Sequence, residues 1–356
     1  MSLILTRTQP LRAKYSGDFD KNEYRRSRYG AFDAFVMDTN SSQSILSAEV
    51  KQYAANSFGN TVSIPVIDAN DVTISNVRSC TWAASENTSK LVELSFATVS
   101  FGFRMYPSQH ANNDVSYQLD FNKKLEKYLL KLAAHLDSLA YASLNANKNV
   151  VWPADILAVY GQVGDALQIQ GDVESQDFYN KLGPIMETMD FYGDCRVIAN
   201  TLHQPMIRKY INQGGGNDVN LAFQFAGYEY FYSNRILNRT SGLNPAKSTI
   251  FATCPGTLAF LNRNDPDSIA NRKTGDGTEW SEVMMPIVNL MMGSTYKSKC
   301  SDVATELGTA NVAGLTASAT EEFSWHTDIC FVTAYNSNPA TRVSPIIKAE
   351  FTALPA

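Results

Sequence analysis

The chain has 356 residues, 44% apolar and 18% charged, enough for one large or two medium domains but short of the charged share, about a quarter, of an ordinary soluble protein. A formal net charge of −5 supplies no broad basic field, which argues against condensation on anionic lipid and against sequence-specific DNA binding. The 17 Tyr, 18 Phe and 10 Met fit burial against other chains, because interface cores favour aromatics and Met over Lys, Glu and Asp; an Asn, Ser and Thr-rich surface is the plainer alternative.

Cys80, Cys195, Cys254, Cys300 and Cys330 form no CxxC pair, so a zinc ribbon or a thioredoxin-like motif is excluded. Met1–Pro10 lacks the apolar run of a secretory signal, and the expectation is synthesis in a reducing cytoplasm. Met284–Met292, the most apolar window, is broken by Pro286 and Asn289, so no helix is expected to cross a membrane. The sequons at Asn40, Asn87 and Asn238 are then incidental.

In chain order, residues 1–44 are polar, rich in Tyr and Arg and poorly periodic, which predicts an extended arm. Arg25, Arg26 and Arg28 beside Tyr24 and Tyr29 read first as a solvated run; a functional version would clamp a neighbouring subunit or touch phosphates without reading bases. Residues 45–58 suit a short helix stopped by Gly59. Val62, Ile64 and Val66 then alternate as a strand, with Pro65 marking a start or an edge. Asp68–Lys90 is polar, with a weak strand at Val72–Val77 and Trp82 and Lys90 near its far end, as in a projecting hairpin. On the return, Val92, Leu94 and Phe96 share one face, whereas Val99, Phe101 and Phe103 have the opposite parity; a one-residue slip near Ala97 and Thr98 signals a bulge or bend.

Ser116–Asn147 carries the clearest helix pattern. Leu125, Leu129, Leu132, Leu136, Leu139 and Ser143 form an apolar stripe, with Lys123, Lys124, Lys127 and Lys131 elsewhere on the wheel. Asn113 or Ser116 suits the N-cap, Lys148 complements the C-terminal carbonyls and Pro153 prevents continuation. Such a helix is roughly 45 Å long. Beyond it the pattern is mixed: helices at Ile156–Val163, Phe178–Met189 and Leu202–Asn212, strands at Arg196–Ala199, Tyr228–Tyr232 and Thr249–Thr253, a loop at Asn262–Glu279, and strands at Phe323–Tyr335 and Arg342–Phe351 around a turn at Asn336–Pro339. The fold class is α+β.

His110, His135, His203 and His326 are the only histidines, and His135 lies inside the long helix as a flanking residue. HExxH and GxSxG are absent. Gly214–Gly216 lacks the Lys-Ser/Thr of a phosphate loop and reads as a helix stop. Asp265, Asp267 and Asp276 lack EF-hand spacing. Met284, Met285, Met291 and Met292 suit a core or a subunit contact. No catalytic, cofactor or metal site is expected.

The order arm, ribbon, very long helix, mixed domain and returning strands resembles the major capsid proteins of tailed phages, the Hong Kong 97-type fold. Ser57–Ile67 (SFGNTVSIPVI) is similar to the strand entering that family's extension loop, and Asp120–Lys148 (DFNKKLEKYLLKLAAHLDSLAYASLNANK) to its spine helix. Cys195–Ile211, Gly227–Ile236 and Ser248–Arg263 are similar to successive elements of its axial domain. The resemblance implies an arm at 1–44, a short helix and extension loop at 45–116, a spine helix at 117–148, an axial domain at 149–320 and returning strands at 321–356. It further implies a non-enzymatic subunit, without cofactor, that forms hexamers and pentamers around double-stranded DNA touched non-specifically. Portal and separate scaffolding proteins are the implied partners, with assembly in the host bacterial cytoplasm, a place in the virion and no membrane. Arg25, Arg26, Arg28, Tyr29, Trp82 and Lys90 are the candidate intersubunit contacts. Some members seal the shell through a Lys–Asn isopeptide bond; Lys90 is the candidate lysine, its ordinary reading a solvated loop residue, and intact-subunit bands from mature particles on a denaturing gel dispose of the idea.

Rival readings are an encapsulin-type compartment of the same fold, separated by DNA inside particles or neighbouring portal and terminase genes; a soluble α+β hydrolase, separated by a stable monomer or dimer in light scattering; and a tail or decoration protein, separated by tubes or trimers.

Overall fold

The computed structural model describes residues 7–8, 29–57, 59–66, 90–110, 114–170, 172–193, 195–205, 228–239, 246–264, 278–301, 318–336 and 338–352. Its first helix, α1 (Gly30–Asn40), corrects the extended arm expected over these residues. Ala31, Phe32, Ala34, Phe35 and Asp38 are all buried, so most of the helix surface is in contact with protein and the polar stripe that would reveal a helix in sequence is missing. Gly30 is required by packing, since a Cβ there would stand 2.5 Å from the Tyr232 amide nitrogen.

Helix α2 (Ala48–Asn56) starts at Ser47, whose hydroxyl accepts from the Val50 N–H at 3.3 Å. Its Lys51 ammonium donates to the Thr39 carbonyl at 2.5 Å, a cation at the negative end of α1. Strands β1 (Thr61–Val66) and β2 (Lys90–Ser95) pair antiparallel as a two-stranded ribbon. Strand β3 (Ala97–Met105) follows after the single residue Phe96, whose amide donates to the Asn60 carbonyl at 2.7 Å, and enters a different sheet. That is the cause of the phase slip. Leu94 and Phe96 pack with Val62 and Leu46 in a small core, whereas Val99, Phe101 and Phe103 face the main core.

The long helix α3 spans Asp114–Ala146, 33 residues, about 50 Å at 1.5 Å per residue. Leu125, Leu129, Leu132 and Leu136 are buried as expected, but the stripe continues through Ala140 and Leu144 rather than Leu139 and Ser143, and extends back through Phe121 and Tyr117. The drift follows from its two supports. Phe121 meets Phe323 at 4.9 Å between ring centroids near one end, and Tyr141 meets Phe251 at 6.0 Å near the other. After the helix, Lys148 donates to the Asn145 carbonyl at 2.8 Å, and the Asn149 amide N–H donates to the Ile346 carbonyl at 2.7 Å.

The helix expected at Ile156–Val163 splits into α4 (Ala154–Val159) and strand β4 (Gly161–Val163), which pairs with β5 (Ala166–Ile169). Helix α5 (Asp172–Thr188) accommodates Pro184. The helix expected at Leu202–Asn212 begins as a single 3-10 turn at Thr201–His203; residues 206–212 lie outside the described residues, as do Gly214–Gly216, Val72–Val77, Asp265, Asp267 and Asp276.

Strands β6 (Arg196–Asn200), β7 (Glu229–Ser233), β8 (Ala246–Thr253) and β13 (Ile346–Thr352) join β4 and β5 in a mixed six-stranded sheet of order β4-β5-β13-β8-β6-β7. Every residue of β5 and β6 is buried, as expected for strands covered on both faces. Strands β9 (Leu258–Arg263), β10 (Thr278–Met285), β11 (Leu290–Ser301) and β12 (Ser318–Thr333) form the second sheet with β3. Strand β12 is its axis. It pairs with β3 through Glu321–Ile329, and Asp328 and Ile329 pair with β9 as well, so β9 occupies the opposite side, following on from β11. The core between the sheets, α1 and α3 is one contiguous cluster, and a second lies beneath α4 and α5.

Candidate assembly surface and its anchors

Among the described residues the ribbon is bonded to no other strand, so its attachment depends on side chains at its root. Arg263, buried at the end of β9, provides the attachment. Its guanidinium pairs with Asp328 at 3.3 Å, donates to the carbonyl and hydroxyl oxygens of Ser57 at 2.9 Å each and to the Gly59 carbonyl, and lies 4.0 Å over the Phe96 ring. One side chain thus holds the entry, the exit and the strand beneath. Asp328 also accepts from the Thr98 hydroxyl at 2.7 Å, just past the phase slip. A planar fork with five donors suits such a junction; an ammonium could not reach all of these acceptors.

Outward from the root the burial fades. Val62 and Leu94 are buried, Ile64 and Val92 half-buried, and Leu91 is 70% exposed opposite exposed Pro65. Tyr53 on α2 is exposed at 63%, and on the first turns of α3 Val115 and Leu119 are exposed at 71% and 52%. Positions 115 and 119 share one helix face. The β10–β11 hairpin sorts its methionines by parity: Met285 and Met292 are buried, while Met284 and Met291, directly opposite one another, turn outward.

Near the start of α3, Arg7 lies 4.6 Å over the Tyr117 ring, pairs with Asp114 at 2.8 Å and donates to Gln118 at 3.2 Å, while the Gln118 amide donates back to the Arg7 carbonyl at 2.8 Å. Burial, together with the Glu321 carboxylate to which it donates, pushes the Tyr117 phenol up.

Two buried carboxylates fix α1. Asp38 accepts from the amides of Gly256 and Leu258, each at 2.8 Å, and from Arg196, whose Nε donates to Glu229 at 2.7 Å. Asp137, in the C-terminal half of α3, accepts from the Phe32 amide at 3.1 Å and from the Ser233 hydroxyl. Burial raises the Asp137 carboxyl, and these hydrogen bonds oppose the rise.

Of the expected contact residues, Arg25, Arg26, Arg28 and Trp82 lie outside the described residues. Lys90 begins β2 opposite Val66. Tyr29 is buried in the chain's own core, donates to the Leu130 carbonyl at 3.4 Å and bridges to Ser233.

The nearest approach to a catalytic pair is His203, whose Nδ1 stands 2.8 Å from the Ser248 hydroxyl and whose Nε2 meets the Tyr179 hydroxyl. His203 and Ser248 are wholly buried, and burial pushes the imidazole down to about 3. Among the described residues no group of three or more His, Cys, Asp and Glu side chains is placed to hold a metal ion, and no helix is long and apolar enough to cross a membrane. The mutual positions of Arg263, Asp38 and Asp137 carried no sequence signal, since their partners lie from 65 to 220 positions away along the chain.

No family model matches the sequence, and no curated protein is similar to it. Among solved structures the chain is similar to one from Mycobacterium phage Che8, at 10% identity and a TM-score of 0.44 over 86% of this chain and 89% of the other. It is similar also to the structure described as the asymmetric unit of the bacteriophage PhiM1 mature capsid, at 11% identity and a TM-score of 0.42 over 83% of each chain. The capsid of Ralstonia phage GP4 is a third, at 8% identity and a TM-score of 0.42 over 84% of this chain and 85% of the other.

Proposed function

We propose that this chain is a shell-forming structural subunit without catalytic activity of its own. Within that class we read it as the major capsid protein of a tailed phage with the Hong Kong 97-type fold, assembling into hexamers and pentamers that enclose double-stranded DNA. The observation that carries the reading is the ribbon, clamped at its root by Arg263 and, among the described residues, bonded to no other strand, with Leu91 exposed. A two-stranded ribbon is marginal in water by itself, so a ribbon held out from the body gains stability by lying on another copy. Repeated heterologous contacts of that kind close into a shell when the rotation permits.

On this reading the 50 Å helix is the rigid member along which peripheral contacts are arranged, the six-stranded sheet forms the axial domain, and portal and scaffolding proteins are the partners in assembly. Packaged DNA is touched non-specifically, consistent with the acidic balance of the chain. The test is to express the chain with its neighbouring genes and examine the product by gradient sedimentation and cryo-electron microscopy. Closed particles with six-fold and five-fold capsomers, filled with DNA, are the expected result. Protein cargo in their place favours a compartment shell, and a monomer or dimer under all conditions defeats the proposal.

A further inference from the structure

Cys195 and Cys254 are 59 positions apart and carry no motif, yet the β6–β8 register brings them together. Arg196 pairs with Thr253 in the antiparallel ladder, and Cys195 and Cys254 are the next residues outward on the two strands. Both are free thiols and both are buried. They share a hydrogen bond, through which Cys195 holds the Cys254 thiol below its usual range against the opposing effect of burial. Residues facing each other across antiparallel strands have Cα separations of about 4.5–5.5 Å, within the range a disulfide bridges.

We propose that Cys195 and Cys254 are an oxidation site that closes to a cross-strand disulfide when the protein meets a small-molecule disulfide such as oxidised glutathione. The Cys254 thiolate attacks one glutathione sulfur and expels a glutathione thiolate. The Cys195 thiol then loses its proton to solvent and displaces the second glutathione, leaving one Sγ–Sγ bond. The two protein thiols are oxidised by two electrons, and one glutathione disulfide becomes two glutathione thiols. Access is through the end of the sheet, where Pro255 and Gly256 are half-buried and Tyr192 is exposed, so a local opening there suffices.

The bond would staple the β6–β8 pair of the six-stranded sheet after exposure to an oxidising medium and leave it open in a reducing one. This inference stands on the strand register alone and is independent of the shell-forming reading.

The test treats the full chain with oxidised glutathione under native conditions and maps peptides after alkylation. The expected results are a loss of two of the five thiols, a linked Cys195–Cys254 peptide, and a Tm roughly 5 °C or more higher, reversed by dithiothreitol. In Cys195→Ser, Cys254 is expected to stop at the mixed disulfide and gain one glutathione. Cys330 is the internal control: it is buried, its thiol pushed up to about 11, and it is expected to stay reduced. No linked peptide in the wild type, or linkage of either cysteine to a different one, overturns the proposal.

Discussion

The Phe32 amide donates to the Asp137 carboxylate at 3.1 Å across 105 positions of chain, so the first turn of α1 is capped by a side chain from the C-terminal half of α3. A helix N-terminus presents unpaired N–H groups and partial positive charge; a buried carboxylate answers both. Asp137→Ala is expected to cost about 2–4 kcal/mol, because a buried donor and the Ser233 hydroxyl both lose their acceptor. Asp137→Asn keeps an acceptor and should cost less. Because the folded carboxyl is raised, its contribution is greatest below the unfolded pKa and declines as pH rises through the folded value; the Asn variant should lack that decline. Urea midpoints across pH check both, and equal costs for the two substitutions would refute the capping role.

Arg263→Met is expected to loosen the ribbon before it loosens anything else. The change leaves Asp328 buried without its cation and removes the tie to Ser57 and Gly59, at a cost of about 3–5 kcal/mol. Hydrogen exchange should quicken over 59–66 and 90–98, with the strands of the six-stranded sheet much less affected. Uniform acceleration throughout the chain would show that Arg263 holds the whole fold and not the ribbon.

His203 makes stability fall on the acid side. Its folded pKa is pushed down to about 3 from 6.5, so between those values the unfolded chain takes up a proton that the folded chain refuses. Stability is therefore complete above the unfolded pKa and declines as pH drops toward 3, by at most about 1.4 kcal/mol per pH unit. His203→Gln should flatten the dependence of stability on pH over this window. An unchanged slope in the variant removes His203 as the cause.

The long helix was legible because more than one face of it meets solvent, leaving a contrast of leucines against lysines that periodicity detects. The ribbon's exit was legible for a related reason: the parity change between Phe96 and Val99 records a strand passing from one core to another. Helix α1 was not, since Ala31, Phe32, Ala34 and Phe35 are buried on several sides and leave no polar face to set the period. Strand β4 was hidden because its three residues are all exposed, so it has no buried face to alternate against. Contacts such as Asp38 with Arg196, or Cys195 with Cys254, depend on strand order, and local pattern does not encode which strands become neighbours.

The exposed apolar residues supply a test that separates folding from assembly. Leu91 on the ribbon and Leu119 on α3 are 70% and 52% exposed, so replacing either with Asp removes little core contact, and each variant should unfold within about 0.5 kcal/mol of wild type. A charge placed in a contact between copies is far more costly, because it must be desolvated without a partner. Leu91→Asp and Leu119→Asp are therefore expected to give soluble, folded protein that fails to sediment as particles, and Leu91→Met to assemble normally. Light scattering and negative-stain images of the three variants decide the matter, since particles formed by both Asp variants at wild-type yield would place the contact surface elsewhere on the molecule.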